Sequence, residues 1–350
     1  MEPAPPANRD VFMESFDDIV DEIPVTGRKH HEQIIMENAV SNQRHITKKL
    51  SDLPRLTGEK QRSAIIISAG PSIKQKNIVE RIKKAGYRGS IIAVDGSYSA
   101  CLKGGLIPDY VMTMDPHNKR VVRWFGDHDF EINSENDDYF KRQDLDEQFR
   151  SQSLLENKRL IEMVNISGCH TKAVVSTTSP ANVVQRLQEA RFDCYWWNPL
   201  MDDPGDSTGL TRKLYHKNPV PCINTGGNVG TAAWVFVATT LQIPAIGLTG
   251  MDYGYYINTP YDRTQTYYEL ALRNGGFAGL EKYFKEFAYP LTKEKFYTDP
   301  TYYWYRRNFL ELLEKSPDNI QTYNCTDGGT LYGPNLKCVM FDDFLKMFEG

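Results

Sequence analysis

The sequence predicts an α/β protein of the Rossmann-like, doubly wound kind: a mostly parallel sheet with helices on both faces and a Tyr-rich insertion. Three observations carry this. Short apolar runs recur at helix-length spacing: Ala64-Ile65-Ile66-Ile67, Ile91-Ile92-Ala93-Val94 and Tyr110-Val111-Met112-Thr113-Met114. They do not alternate with polar residues, so both faces of each strand are buried. Each run leads to a small or acidic residue, namely Gly70, Asp95 or Asp115. In such sheets ligands lie beyond the carboxyl ends of the strands. Gly70, Ser72, Asp95 and Asp115 are therefore expected on one rim.

Composition narrows the function classes. A chain of 350 residues with 40% apolar residues can bury a real core. A net charge of −4 gives no broad cationic surface, which argues against nucleic acid as the main partner. The six cysteines, at 101, 169, 194, 222, 325 and 338, have no Cys-x-x-Cys spacing. They read as reduced thiols of a cytoplasmic protein, not as a disulfide frame or a zinc site. The opening Met1-Glu2-Pro3-Ala4-Pro5-Pro6 has no signal-peptide pattern. The most apolar stretch, 232–250, is interrupted by Gln242 and Pro244, so no membrane span is expected.

The chain divides into five parts. Residues 1–28 read as a flexible N-terminal tail. Residues 29–62 form a helical lead-in, with Ile34, Ile35, Ala39, Ile46 and Leu50 at three- and four-residue intervals. His30-His31 within it belongs to a solvated helix face. Residues 63–258 form the nucleotide-binding core. Its first helix, over 73–86, ends on Gly86 as a C-cap. A second strand covers 90–94, and Asp109 after Pro108 is a turn residue. An acidic surface segment runs over 127–148, a fourth strand over 173–176 and its helix over 181–190. Trp196-Trp197 in the next strand are core, or else an aromatic wall for a sugar or base. Residues 259–319 are a Tyr-rich substrate-facing insertion, with an amphipathic helix at 304–313. Residues 320–350 supply the last strand and a closing helix.

Two glycine turns carry the candidate chemistry. In Gly70-Pro71-Ser72, proline cannot continue a strand, glycine leaves backbone N–H groups open, and Ser72 can cap a helix whose positive end meets an anion. In Gly226-Gly227-Asn228-Val229-Gly230-Thr231, glycines again precede an apolar helix, here 232–241. The strand before Gly250 leads to a further acid, Asp252, and to clustered tyrosines that can bond a phosphate without adding charge. The three-glycine dinucleotide fingerprint and the Gly-Lys-Ser/Thr of a P-loop are both missing.

Taken in order, these pieces resemble one family. Ala69-Gly70-Pro71-Ser72, Ala93-Val94-Asp95-Gly96, Ile107-Pro108-Asp109 and Met114-Asp115-Pro116 are followed by the 226–233 turn, Gly250-Met251-Asp252 and Tyr323-Asn324-Cys325-Thr326 with Gly328-Gly329. The family holds the bacterial motility accessory factors, glycosyltransferases that attach nonulosonic acids to flagellin, and its domain group includes archaeal 6-hydroxymethyl-dihydropterin diphosphokinases. More distantly, the chain is similar to bacterial lipooligosaccharide sialyltransferases, which implies a CMP-sugar donor. The resemblance implies that Gly70, Pro71, Ser72, Asp95, Gly96 and Asp115, with Gly226, Gly227, Asn228, Gly230 and Thr231, hold the nucleotide. Tyr255, Tyr256 or Tyr261 would meet the leaving phosphate. The histidine base of the sialyltransferases has no counterpart at 296–299. Asp252, His117 and Asp299 are the candidate bases. The acceptor would be a protein or glycan hydroxyl. The alternatives are a diphosphokinase using ATP and Mg²⁺, which asks for paired carboxylates, and a non-catalytic nucleotide-binding module. The single acid in Met114-Asp115-Pro116-His117 weakens a two-acid clamp at that position.

Overall fold

The computed structural model describes residues 15–135 and 147–348. Nine strands form one sheet: β1 (Ser63–Ile67), β2 (Ser90–Val94), β3 (Tyr110–Thr113), β4 (Lys172–Ser176), β5 (Asp193–Leu200), β6 (Cys222–Asn224), β7 (Ala245–Thr249), β11 (Gln321–Asn324) and β12 (Leu336–Cys338). Their order is β12-β11-β7-β1-β2-β3-β4-β5-β6, and every pairing is parallel. The chain starts at β1, works outward to β6, then returns to the other side of β1 as β7. The order therefore reverses between β1 and β7, where doubly wound sheets bind ligands.

Strand residues alternate between two cores. Ile65, Ile67, Ile91, Ala93, Val111, Val175 and Trp196 face one, with Tyr98 from helix Asp95–Lys103 and Val183 from helix Ala181–Glu189. Ile66, Ile92, Val94, Met112, Val174 and Trp197 face the other, with Trp234 from helix Val229–Val235, Phe236 from its continuation Phe236–Leu241, and Phe309 from helix Pro300–Glu314. The closing helix Phe341–Met347 returns to the first core through Phe341, Phe344 and Leu345.

Beyond the extra strand β12, which follows the one read as the last, two features differ from the sequence reading. The first helix, α1, spans Phe16–Asn42, so it takes in part of the expected tail; residues 1–14 lie outside the described residues. Ser15 and Asp18 form a capping box, and Phe16, Ile19 and Val20 are buried. At 1.5 Å per residue α1 is about 40 Å long. Its start is tied to the Tyr-rich part by Asp21–Arg307 at 2.9 Å and by the Phe16 and Tyr303 rings. Near its end, Asn38 Nδ2 donates to the Pro116 and Thr178 carbonyls, and Asn42 Nδ2 to those of Thr177 and Ser179.

The second is a small antiparallel sheet of β8 (Tyr255–Tyr256), β10 (Lys295–Thr298) and β9 (Lys285–Ala288), in that order. It orders a region whose sequence has little periodicity. Such short strands carry too few alternations to be read from pattern. Part of the expected acidic segment, 136–146, lies outside the described residues.

Candidate functional site

The site is built around the β1–β7 reversal. Beyond β1, the Gly70 N–H donates to the Gly250 carbonyl at 2.8 Å. Gly250 has φ +65°, and a Cβ there would lie 2.3 Å from the Ser68 carbonyl oxygen. No other residue fits this crossing without strain. The Ser72 N–H donates to Asp252 Oδ2 at 2.9 Å. A Cβ on Gly70 would come 2.4 Å from that same oxygen. Gly70 is therefore small because Asp252 closes against it, and its own N–H is already bonded, which corrects the reading of an open N–H there. Pro71, not Ser72, is the N-cap, and the helix is the single turn Ser72–Gln75. Asp252 is buried, and burial pushes its carboxyl up to about 6 against the Ser72 hydrogen bond that holds it down.

The second glycine turn closes onto the first. Gly226 and Gly227 have φ +51° and +90°. Their N–H groups donate to Asn224 Oδ1 at 3.0 Å and Thr225 Oγ1 at 3.2 Å. Asn228 caps the following helix by accepting from the Thr231 N–H at 2.9 Å. A Cβ on Gly230 would lie 2.9 Å from both Ser68 Oγ and the Met251 methyl. Gly70, Gly230 and the Asp252 segment thus meet at one place on the rim. Tyr253, with φ +45°, locks them together: its hydroxyl lies 3.0 Å from Thr231 Oγ1 and donates to Asn228 Oδ1 at 3.2 Å. The Trp304 ring occupies the space that a side chain on Gly227 would need, its Cζ3 2.2 Å from where a Cβ would lie.

The β2 and β3 acids stand next to this cluster. Asp95 is buried and accepts from the Gly96 N–H at 2.7 Å. Burial raises its carboxyl to about 7; the Gly96 hydrogen bond opposes the rise and the Asp115 charge adds to it. Asp115 is half-buried and accepts from the His117 N–H at 2.8 Å. His117, also half-buried, is the N-cap of the helical turn Asn118–Val121. A Cβ on Gly96 would be 2.8 Å from that of Ala69, so the β2 acid adjoins the Gly70 turn. A buried carboxyl beside backbone turns, with a second carboxylate close by, can bind a polar ligand and hold a proton. Among the described residues, no three His, Cys, Asp or Glu side chains gather as metal ligands, so Asp252 does not join Asp95 and Asp115 in one cation site.

Other expected site residues sit elsewhere. Asp299 is buried as the N-cap of helix Pro300–Glu314, where it accepts from the Tyr302 N–H at 2.8 Å, Thr266 Oγ1 at 2.8 Å and the Tyr255 hydroxyl at 3.1 Å. That is a structural role. Tyr255 also accepts from the Gln265 N–H. Tyr261 stacks on Phe284 at 4.3 Å in the core of the small lobe. The Tyr256 ring packs on Phe296, with Lys76 Nζ 5.9 Å from its centroid. Trp196 and Trp197 are core and no wall. Tyr253, Trp304 and the α1 asparagines escaped the sequence reading. Only Tyr253 left a signal, its place directly after Asp252.

Comparisons with known proteins agree with the motif resemblance. Residues 35–133 match a family model described as 6-hydroxymethylpterin diphosphokinase MptE-like. An uncharacterized protein of Treponema pallidum (strain Nichols) is 33% identical over 87 residues, covering 25% of this chain and 40% of its own. The solved structure of a MAf glycosyltransferase from Magnetospirillum magneticum AMB-1 matches with a TM-score of 0.55 at 15% identity, over 91% of this chain and 41% of that one. At that identity the likeness is one of fold. The chain spans about two fifths of the length of either relative.

Proposed function

We propose that this chain, with its MptE-like region on a sheet shared with a MAf glycosyltransferase, is itself a glycosyltransferase. It would move a nonulosonic or sialic-type acid from a CMP-sugar to a hydroxyl of a protein or glycan. The observation that carries this reading is the fold likeness, which extends over 91% of the chain.

In this reading the nucleotide lies across the β1–β7 reversal, between the Gly70 and Gly226–Gly230 turns. The bond from the anomeric carbon to the phosphate oxygen breaks, and a bond to the acceptor oxygen forms. The acceptor proton passes to His117. Asp252 and Asp299, the other two candidates, hold backbone N–H groups instead. Charge left on the phosphate meets the first turn of the helix that begins at Val229, since the Gly226 and Gly227 N–H groups are bonded within their own turn. Tyr256, near Asp252 and with no hydrogen-bond partner for its hydroxyl among the described residues, supplies a neutral donor in place of Tyr255 and Tyr261. Asp95 and Asp115 face the nucleoside.

A thermal-shift series with CMP, UDP, GDP and ATP, each with and without Mg²⁺, tests the donor class, since a ligand of the folded state raises its apparent stability. CMP is expected to raise the melting temperature most, and a CMP-sugar to be turned over to CMP. No binding and no CMP release would defeat the proposal. The description of the matched family model favours one second reading, ATP-dependent diphosphokinase activity. That reading expects Mg²⁺-dependent AMP release with a hydroxymethyl-pterin, with the Asp95–Asp115 pair and the ATP phosphates holding the ion.

A further inference from the structure

Of the five tryptophans, Trp196, Trp197 and Trp234 are at most 3% exposed, whereas Trp124 is 37% exposed. It lies on the 3-10 turn Val122–Phe125, whose Val122 and Phe125 are buried in the core. Gly126 ends that turn at φ +84°, where a Cβ would run into Ile161 at 2.5 Å. The turn is thus held from both sides while its indole stays in solvent. The indole Cε2 lies 3.9 Å from the position a Cβ on Gly96 would take. Gly96 directly follows Asp95, and Asp115 acts on Asp95 through its charge. An exposed indole and two carboxyls therefore share one corner of the rim, with Gly96 packed between Ala69 and the indole. A flat apolar ring beside hydrogen-bond acceptors suits a planar heterocycle that carries an amino group.

We propose that Trp124 stacks on the base of the nucleotide donor, and that Asp95 accepts from the exocyclic amino group of that base. The inference rests on the glycosyltransferase reading and adds the base-binding corner and its preference for an amino-bearing ring.

Tryptophan fluorescence with CMP and UMP tests it. In Trp304→Phe protein, Trp124 is the only accessible indole left. CMP is expected to quench its emission, and Trp124→Leu in that background to abolish the quench. In otherwise wild-type protein, Trp124→Leu is expected to weaken CMP binding about tenfold or more, and Trp124→Tyr to restore most of it. UMP is expected to bind more weakly than CMP, and Asp95→Asn to narrow that gap. An unchanged melting temperature in Trp124→Leu ties the loss to the ligand and not to folding. If CMP binds Trp124→Leu as tightly as wild type, or the quench survives without Trp124, the inference is overturned and the glycosyltransferase reading stands. If wild-type protein takes up no nucleotide, both fall.

Discussion

The carboxylates on the two sides of β1 carry the same sequence signature and have different neighbours. Asp95 and Asp115, after β2 and β3, receive hydrogen bonds from adjacent turns of their own chain segment, and the Asp115 charge acts on Asp95. Asp252, after β7, and Asp299, before helix Pro300–Glu314, reach backbone N–H groups that build the fold: Ser72 lies 180 positions away, and Tyr302 opens a helix. A strand-end acid is thus tied to its own segment or to a distant one according to which backbone crosses it, and strand periodicity does not encode that crossing.

His117→Ala tests the first side most severely. Loss of a general base costs about 10²–10⁴-fold in rate, read as kcat with the melting temperature held. A rate within a few-fold of wild type would move the base elsewhere. Asp299→Ala is the counterpart on the other side. It removes a cap and strands the buried Thr266 and Tyr255 hydroxyls, for an expected loss of about 2–4 kcal/mol in urea unfolding. A stable variant that loses only activity would reverse the assignment. Asp252→Ala should cost less, about 1–3 kcal/mol, and Asp252→Asn should recover most of it by keeping an acceptor for the Ser72 N–H. Equal activity loss in both variants, with stability intact, would instead make Asp252 chemical.

A further effect is a pH dependence. Asp95 is raised from 3.8 to about 7, so the native state binds that proton more tightly than the unfolded chain. Its contribution to stability is full below pH 3.8 and is lost as pH rises through 7. Asp95→Asn should therefore flatten the fall in melting temperature over that window. A curve parallel to wild type would mean that the carboxyl is not held in a low-dielectric site.

Much of the sheet was legible in the sequence. The β2 bounds, Ser90–Val94, agree with the run read from residues, as does the end of the first helical region at Gly86, with φ +61°. The glycine turns were located correctly, but the packing around them was not legible: Asp252 closes against Gly70, whose N–H is bonded to the Gly250 carbonyl, and Ala69 packs against Gly96. The tyrosine lobe was visible as composition only. Its sheet joins Phe296 to Tyr256 and Lys295 to Ala288, partners that local pattern cannot pair.

Buried parallel strands announce themselves locally, because a strand covered on both faces must be apolar throughout, and its end must be small, polar or bent. The amino-acid order therefore set the α/β class, the strand runs and the residues that border the rim. Which acid holds a distant amide, which indole stays in solvent and which tyrosine locks a turn followed only from packing. Those contacts join positions far apart along the chain, and their energies exist only once both partners have been brought together.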